Sequence, residues 1–380
     1  MRYLKTFVIA LAVIVVAGAV VGWIGWEGWR AFQGREGRHG QAKPDENYWE
    51  VMKEAMEADY SKATPREAKA AARKWDKYIK SLTAEELLIA GRQCAAETQQ
   101  TVPQEQWAEA VVLLWVSFQY YPARTNNLQD VTPLVAELQD KSAPPFWRYG
   151  LMAILWDSWS EGGPLTIEQL VTLASAMKQI APDKSEPLLV RIQAAKTSEQ
   201  ILRHCHAANL ENDPEIKKCV AQGREYEDVV RDAVDGRIKP ARQTIERNKN
   251  IQSALVELID AHLGLLNEPN LPVNDGADLI GSACRLANYD AQGKIHAAMK
   301  DALRNYKNYD EHFWWYLVYA NATWFENPEA ESLLVEMIDT VTDEDLKRML
   351  PRWKRSLEDG GFKRRPYNPG SALVDFARHE

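Results

Sequence analysis

The most reactive-looking cluster in the sequence is a pair of carboxylates beside aromatic residues. Asp310 and Glu311 come just before the aromatic run 313–316, and Asp157 lies in a second Trp-rich segment. A glycosidase needs one carboxylic acid, one base or nucleophile, and aromatic platforms for the sugar. A simpler interpretation is structural: Asp310 caps a helix, Glu311 favours its positive start, and the rings fill the core. We favour the structural interpretation and keep the catalytic one as the alternative.

Histidine and cysteine residues crowd one further segment, at His204-Cys205-His206 and Cys219. Zinc requires about four converging ligands, whereas adjacent residues on a helix point about 100° apart. We therefore predict no metal site. Cys205 and Cys219 would fall near the facing ends of consecutive helices, so two alternatives stay open: a disulfide in an oxidising compartment, or two free buried thiols.

Composition excludes several classes of function. The formal net charge is −8, which argues against a general nucleic-acid binder. The sequence holds no GxSxG, HExxH, GxGxxG or GxxxxGK[ST] pattern, the signatures of common hydrolases, zinc proteases and nucleotide binders. No cofactor is predicted. The chain contains 14 tryptophans, a number that suits either a large core or a sugar-binding cleft.

The amino-terminal end is the most distinctive part of the chain. Positions 6–26 are apolar and almost uncharged, and they follow a start that carries Arg2 and Lys5. About 20 residues of helix rise ~30 Å, the hydrocarbon thickness of a bilayer. The pattern favours an uncleaved signal anchor over a cleaved signal peptide, which the small residues 17–19 also fit.

Three tryptophans support the anchor, because their spacing puts the indole rings on one helix face at the membrane–water interface: Trp23, Trp26 and Trp29. Basic residues flank both ends of the span, so the positive-inside rule nearly cancels. A short tail before a single span favours an extracytoplasmic soluble domain. Gly18 and Gly22 form a G-x-x-x-G pair that would let two anchors pack as a homodimer.

The rest of the chain predicts helices broken by Pro, Gly and Asn, with no alternating pattern that would indicate a sheet. We divide the whole chain into a transmembrane anchor (1–32), a flexible linker (33–44), an N-terminal helical hairpin or cap (45–100), a helical repeat domain (101–358) and a tail (359–380). Thr83 and Glu86 predict a capping box. Later helices are predicted at 184–195, 198–208, 213–234, 240–266, 274–288, 290–306, 310–325, 327–340 and 343–358.

An internal repeat indicates the architecture. The segment 114–118 (LWVSF) recurs at 155–159 (LWDSW), and 146–149 (FWRY) resembles 313–316 (FWWY) about four such periods later. Paired helices at a period near 40 are typical of HEAT-like α-solenoids. The predicted fold class is therefore all-α: a single transmembrane helix followed by an α-solenoid of helical hairpins.

This architecture favours a membrane-anchored scaffold or adaptor that binds another protein, without catalysis. The alternative is an extracytoplasmic carbohydrate-active enzyme, in which the hairpins close into an (α/α) toroid around paired carboxylates.

Overall fold

The computed structural model describes residues 82–108, 110–111, 114, 121, 130–159, 165–234, 237–268 and 271–358. These residues form helices and no strand, which confirms the all-α prediction. No helix among them is both long and apolar enough to cross a membrane. The predicted anchor with Trp23, Trp26 and Trp29, the linker and the tail lie outside the described residues.

Thirteen α-helices occur in this part of the chain, and we number them in order. The first six are α1 (Ala84–Thr101), α2 (Thr132–Gln139), α3 (Pro145–Trp159), α4 (Ile167–Ile180), α5 (Leu188–Glu211) and α6 (Pro214–Ala221). The others are α7 (Tyr226–Val234), α8 (Arg242–Leu266), α9 (Val273–Leu286), α10 (Lys294–Arg304), α11 (Glu311–Thr323), α12 (Glu329–Thr340) and α13 (Glu344–Glu358). Short 3-10 turns lie at Gln104–Gln106, Ala287–Tyr289 and Tyr306–Asn308.

Helix starts follow their local sequence. The predicted capping box opens α1: the Thr83 amide donates to Glu86 Oε2 at 2.7 Å, and the Glu86 amide donates to Thr83 Oγ1 at 3.2 Å. Thr166 and Gln169 make the same reciprocal pair before α4. These side chains satisfy amides that have no partner inside the helix.

Two predicted helix boundaries are wrong. The segments 184–195 and 198–208 form one helix, α5, because residues 196–197 carry no breaker and Thr197 is fully buried. The segment 213–234 instead splits into α6 and α7. Gly223 separates them with a φ of +87°, a backbone conformation that residues with a Cβ rarely adopt.

The chain divides into two compact units, Met1–Cys94 with Trp115–Tyr121, and Ala95–Leu114 with Pro122–Glu380. In the larger unit, helices pack as hairpins: α2 with α3, α4 with α5, α8 with α9, α10 with α11, and α12 with α13. The first helix of each hairpin also packs on the first helix of the next hairpin, and the second helix packs on the next second helix. The first helices contact in the order α2, α4, α8, α10, α12, and the second helices in the order α3, α5, α9, α11, α13.

The α6–α7 pair interrupts this order after α5. Its two helices pack on each other around Ile216, Val229 and Ala233, with Cys219 and Tyr226 at the edge, and α6 also contacts α5. The insertion also corrects the predicted spacing of the two aromatic runs. Phe146 and Phe313 begin equivalent second helices, α3 and α11, which are three hairpins apart rather than four.

A nine-residue pattern repeats exactly once per hairpin in α2–α5. Residues 140–148 and 183–191 both read Asp-Lys-Ser-x-Pro-x-x-x-Arg, so each residue recurs after 43 positions. The geometry repeats too. Asp140 Oδ1 accepts from the amide and hydroxyl of Ser142 at 2.9 and 2.6 Å, and Asp183 accepts from Ser185 at 3.0 and 2.7 Å. Two successive hairpins therefore share one loop design.

The arginine that ends the pattern connects each hairpin to the next. Arg148 donates to the Leu138 carbonyl and forms a two-pronged ion pair with Glu186, in the loop of the following hairpin. Arg191 donates to the Ala181 carbonyl at 3.2 Å and pairs with Glu268, in the loop after that, at 2.8 Å. These contacts stabilise the stacking of neighbouring hairpins at their loops.

Candidate functional site

The carboxylates of the predicted acid/base cluster serve as helix and loop contacts. Asp310 caps α11 by accepting from the His312 amide at 2.9 Å. Glu311 accepts from the amides of Thr342 and Asp343 at 2.9 Å each, which ties α11 to the loop before α13. The side chain of Asp157 lies outside the described residues.

The environment of Glu311 does not suit a general acid. Burial acts to raise its pKa, but the hydrogen bonds from Asp343 and Thr342 outweigh that effect and lower the pKa. A general acid needs the opposite shift. The neighbouring rings of Phe313, Trp314 and Trp315 are buried, so they fill the core rather than offer platforms to a sugar.

Of the two alternatives for Cys205 and Cys219, the structure has free thiols. Cys205 is buried, with its Sγ 4.0 Å from the Ile167 carbonyl, and burial raises the pKa of its thiol to about 12. Cys219 packs at the edge of the α6–α7 core instead. The disulfide is therefore not formed in the structure.

The larger unit contains a buried carboxyl group, Glu199 on α5. This helix packs against α3, α4, α8 and α9, so most of its surface is covered and Glu199 is fully buried. Arg285 of α9 donates to both carboxylate oxygens, at 3.0 and 2.9 Å. Arg203, one turn along α5, donates from Nε to Oε1 at 3.1 Å. A buried carboxylate needs such partners to remain charged.

A second layer of polar side chains supports the carboxylate from the core. Ser282 Oγ lies 3.0 Å from Glu199 Oε2 and 2.8 Å from His262 Nε2. His262 Nδ1 lies 2.9 Å from the Leu258 carbonyl, and burial lowers the pKa of this imidazole. We call Glu199, Arg203, Arg285, Ser282 and His262 the Glu199 cluster.

A buried histidine one turn further along α5 has its own partners. The Gln252 amide lies 3.0 Å from His206 Nε2, so Nε2 accepts and Nδ1 carries the hydrogen that faces Tyr289 Oη at 3.3 Å. A proton added to Nε2 would meet the Gln252 amide hydrogens. Burial lowers the pKa of His206 to about 4. The imidazole is therefore neutral at physiological pH.

Part of the Glu199 cluster reaches solvent along the outer stripe of the second helices. The stripe on α5 consists of Lys196, Gln200 and Arg203, which are partly exposed at i, i+4 and i+7. Asp278 and Arg285 lie on the neighbouring α9. We call these five residues the second-helix face.

Charges on the second-helix face are arranged in two groups. Towards the hairpin loops, Lys196 pairs with Asp278 at 2.5 Å, which neutralises both. Towards the other end, Arg203 and Arg285 converge on Glu199 with side chains 42% and 30% exposed. Since Glu199 cancels only one of the two guanidinium charges, these three described residues leave one net positive charge at this end.

Two other kinds of site receive no support in the described residues. An apolar crevice between α8, α10 and α11, lined by Leu263, Met299 and Phe313, encloses about 20 Å³. That volume holds about one water molecule. In this part of the chain, no three His, Cys, Asp or Glu side chains are grouped to hold a metal ion.

Sequence patterns alone did not indicate the Glu199 cluster, because its members come from three helices. Glu199 and Ser282 are 83 residues apart, and single polar residues within apolar helical patterns look like surface positions. One signal was available. Lys196, Glu199 and Arg203 follow i, i+3 and i+7 spacing, which puts three charged residues on one side of α5.

Comparison with known proteins gives no relative for this chain: no family model, curated protein or solved structure matches it.

Proposed function

We propose that this protein is a membrane-anchored α-helical repeat scaffold that binds another protein on the second-helix face. The anchor is the apolar segment within 1–32, and the repeat domain is a HEAT-like α-solenoid of hairpins. The soluble domain is proposed to lie outside the cytoplasm. The Gly18/Gly22 face of the span is the proposed contact of a homodimer.

One observation carries the proposal: helices of successive hairpins pack like on like, first helix with first and second with second, through α13. Such stacking buries a continuous core and leaves a long surface on each layer. The first helices expose more of their surface than the second helices α3, α5, α9 and α11, which expose only a narrow stripe, whereas the last second helix, α13, is broadly exposed. A narrow stripe with a supported charged group suits recognition of a partner segment.

The catalytic alternative has less support. It requires two carboxylates facing a cleft, whereas Asp310 and Glu311 are used as hydrogen-bond acceptors for backbone amides. Binding therefore explains the arrangement of the described residues better than sugar hydrolysis does.

Site-specific photo-crosslinking in native membranes tests the proposal. A photoreactive amino acid replaces Gln200 on the second-helix face or, as the matched control, Val256 on α8, whose side chain is 42% exposed. We expect a discrete crosslinked protein from position 200 and none from position 256. Equal crosslinking at both positions, or none at position 200, would contradict the proposal.

A further inference from the structure

The two guanidinium groups of the Glu199 cluster have hydrogen-bond donors that the protein does not use. Arg203 binds Glu199 through Nε alone, and Arg285 binds it through Nε and Nη2. Among the described residues, neither Nη group of Arg203 and not the Nη1 of Arg285 makes a hydrogen bond. Both side chains are partly exposed, so these donors face solvent.

Buried side chains hold the two arginines in position. Glu199 is fully buried and holds both guanidinium groups on one carboxylate, and Ser282 holds Glu199 in turn. A long side chain normally loses conformational entropy when it binds a ligand. Here the protein has already ordered both side chains, so an incoming anion meets a preorganised set of donors.

The charge balance selects the kind of anion. Arg203 and Arg285 contribute two positive charges and Glu199 one negative charge, and Lys196 and Asp278 neutralise each other nearby. One carboxylate would therefore neutralise the charge that these described residues leave. A doubly charged phosphate would leave an excess negative charge beside buried Glu199, which costs free energy at low dielectric constant.

We propose that Arg203 and Arg285 form a binding site for a carboxylate of the partner protein, presented by an acidic segment that lies along the second-helix face. This inference rests on the proposed scaffold function and adds the chemistry of the partner. The guanidinium forks bind the carboxylate oxygens with charge-assisted hydrogen bonds. No bond is made or broken in the protein.

Fluorescence anisotropy with the full-length chain in mild detergent tests this site. The probes are labelled peptides of alternating glutamate and serine, the same peptide with glutamine for glutamate, and the same peptide with phosphoserine for glutamate. The variants are Arg203→Gln and Arg285→Gln, with Arg242→Gln as the matched control. Arg242 is 92% exposed on α8, and its ion pair among the described residues is with Glu246.

We expect the glutamate peptide to bind, and each of Arg203→Gln and Arg285→Gln to weaken binding about tenfold, the value of one charge-assisted hydrogen bond. Arg242→Gln is expected to change affinity less than about twofold. Equal losses in all three variants, no loss in any, no binding by the unmodified protein, or tighter binding of the phosphoserine peptide would overturn the inference.

Thermal unfolding of each variant separates binding from folding. Arg203→Gln is the safer variant, because Arg285 still pairs with Glu199 after the change. If position-specific crosslinking at Gln200 persists while the peptides show no selectivity, the carboxylate site is wrong and the scaffold function stands. Absence of the crosslink at position 200 would instead contradict the scaffold function itself.

Discussion

The molecule contains two kinds of arginine–glutamate contact, and they differ in how completely each guanidinium is enclosed. At the hairpin loops, Arg148 and Glu186 have side chains only 2% and 3% exposed. On the second-helix face, Arg203 and Arg285 bind an equally buried Glu199 but remain partly in water. In both places the carboxylate is buried, so the difference lies in the arginine.

This difference separates a structural contact from a binding site. An enclosed guanidinium has no donor that a ligand can reach, so Arg148 contributes to stacking alone. A half-exposed guanidinium on a fixed carboxylate keeps donors for a second anion. Substitutions at the loops should therefore change stability without changing peptide binding, whereas Arg203→Gln on the second-helix face should weaken peptide binding with a smaller change in stability.

The largest expected effect is at the enclosed pair. Arg148→Met leaves Glu186 buried without a partner, which we expect to lower the free energy of unfolding by about 3–5 kcal/mol. The double variant Arg148→Met with Glu186→Met should recover much of that loss, because it removes the unpaired charge. Urea unfolding followed by circular dichroism measures both. A single-variant loss below ~1 kcal/mol would show that the pair is not buried in solution.

Acid should lower the stability of the protein through His206, which is buried on α5. The folded chain holds the pKa of His206 near 4, whereas an unfolded histidine has an ordinary pKa of 6.5. The unfolded state therefore binds more protons below pH 6.5, and stability should fall as the pH drops from about 6.5 to about 4. The full loss is up to about 3 kcal/mol.

The variant His206→Gln isolates this contribution. It should be less stable at neutral pH because the imidazole contacts are lost, but its stability should depend less on pH across the same window. Burial also lowers the pKa of His262, which adds a loss of the same sign in both proteins. Equal pH dependence of the two proteins, measured by urea midpoints, would rule out the assigned role of His206.

Arg191 sharpens the comparison, because it occupies the position of Arg148 in the next hairpin. Its partner Glu268 is 20% exposed, so the carboxylate can gain water when Arg191 is removed. We expect Arg191→Met to cost about 1–3 kcal/mol, less than Arg148→Met, in the same urea experiment. The reverse order would mean that burial of the partner does not set the cost.

The smallest effect is expected at an exposed loop pair. Lys141 Nζ lies 2.6 Å from Asp183 Oδ2, and its hydrogen bond holds the pKa of that carboxyl below its usual range. The lysine side chain is 60% exposed, so solvent screens the contact. Lys141→Ala should cost at most about 1 kcal/mol in urea. A cost comparable to that of Arg148→Met would contradict the distinction between enclosed and exposed contacts.

The helical character of the fold could be predicted from periodicity, and several helix starts from caps. Thr83 with Glu86, and Asp310, act as the sequence indicates. The period near 40 was also close to the 43-residue spacing of Asp140 and Asp183. The repeat at 140–148 and 183–191 is not visible in the aromatic pattern, because the repeated residues are mostly polar loop residues.

The candidate site was not predictable, because it depends on which helices become neighbours. Glu199 belongs to α5, and its partners Ser282 and Arg285 belong to α9, two helices separated by the α6–α7 insertion and α8. Helical periodicity states which residues share a face of one helix. It contains no information on how α9, which follows the α6–α7 insertion and α8 in the chain, comes to pack against α5.

The most direct test of the proposed α-solenoid is the distance between its first and last hairpins. Spin labels are placed at Ala136 on α2 and Val335 on α12, both exposed, with Cys219 replaced by serine because the other native cysteines are buried. Four steps between neighbouring first helices, at about 8–10 Å each, predict a separation of roughly 35 Å between the labels. Double electron–electron resonance measures this distance. A distance below about 20 Å would mean that the hairpins close into a toroid, and would contradict the scaffold account.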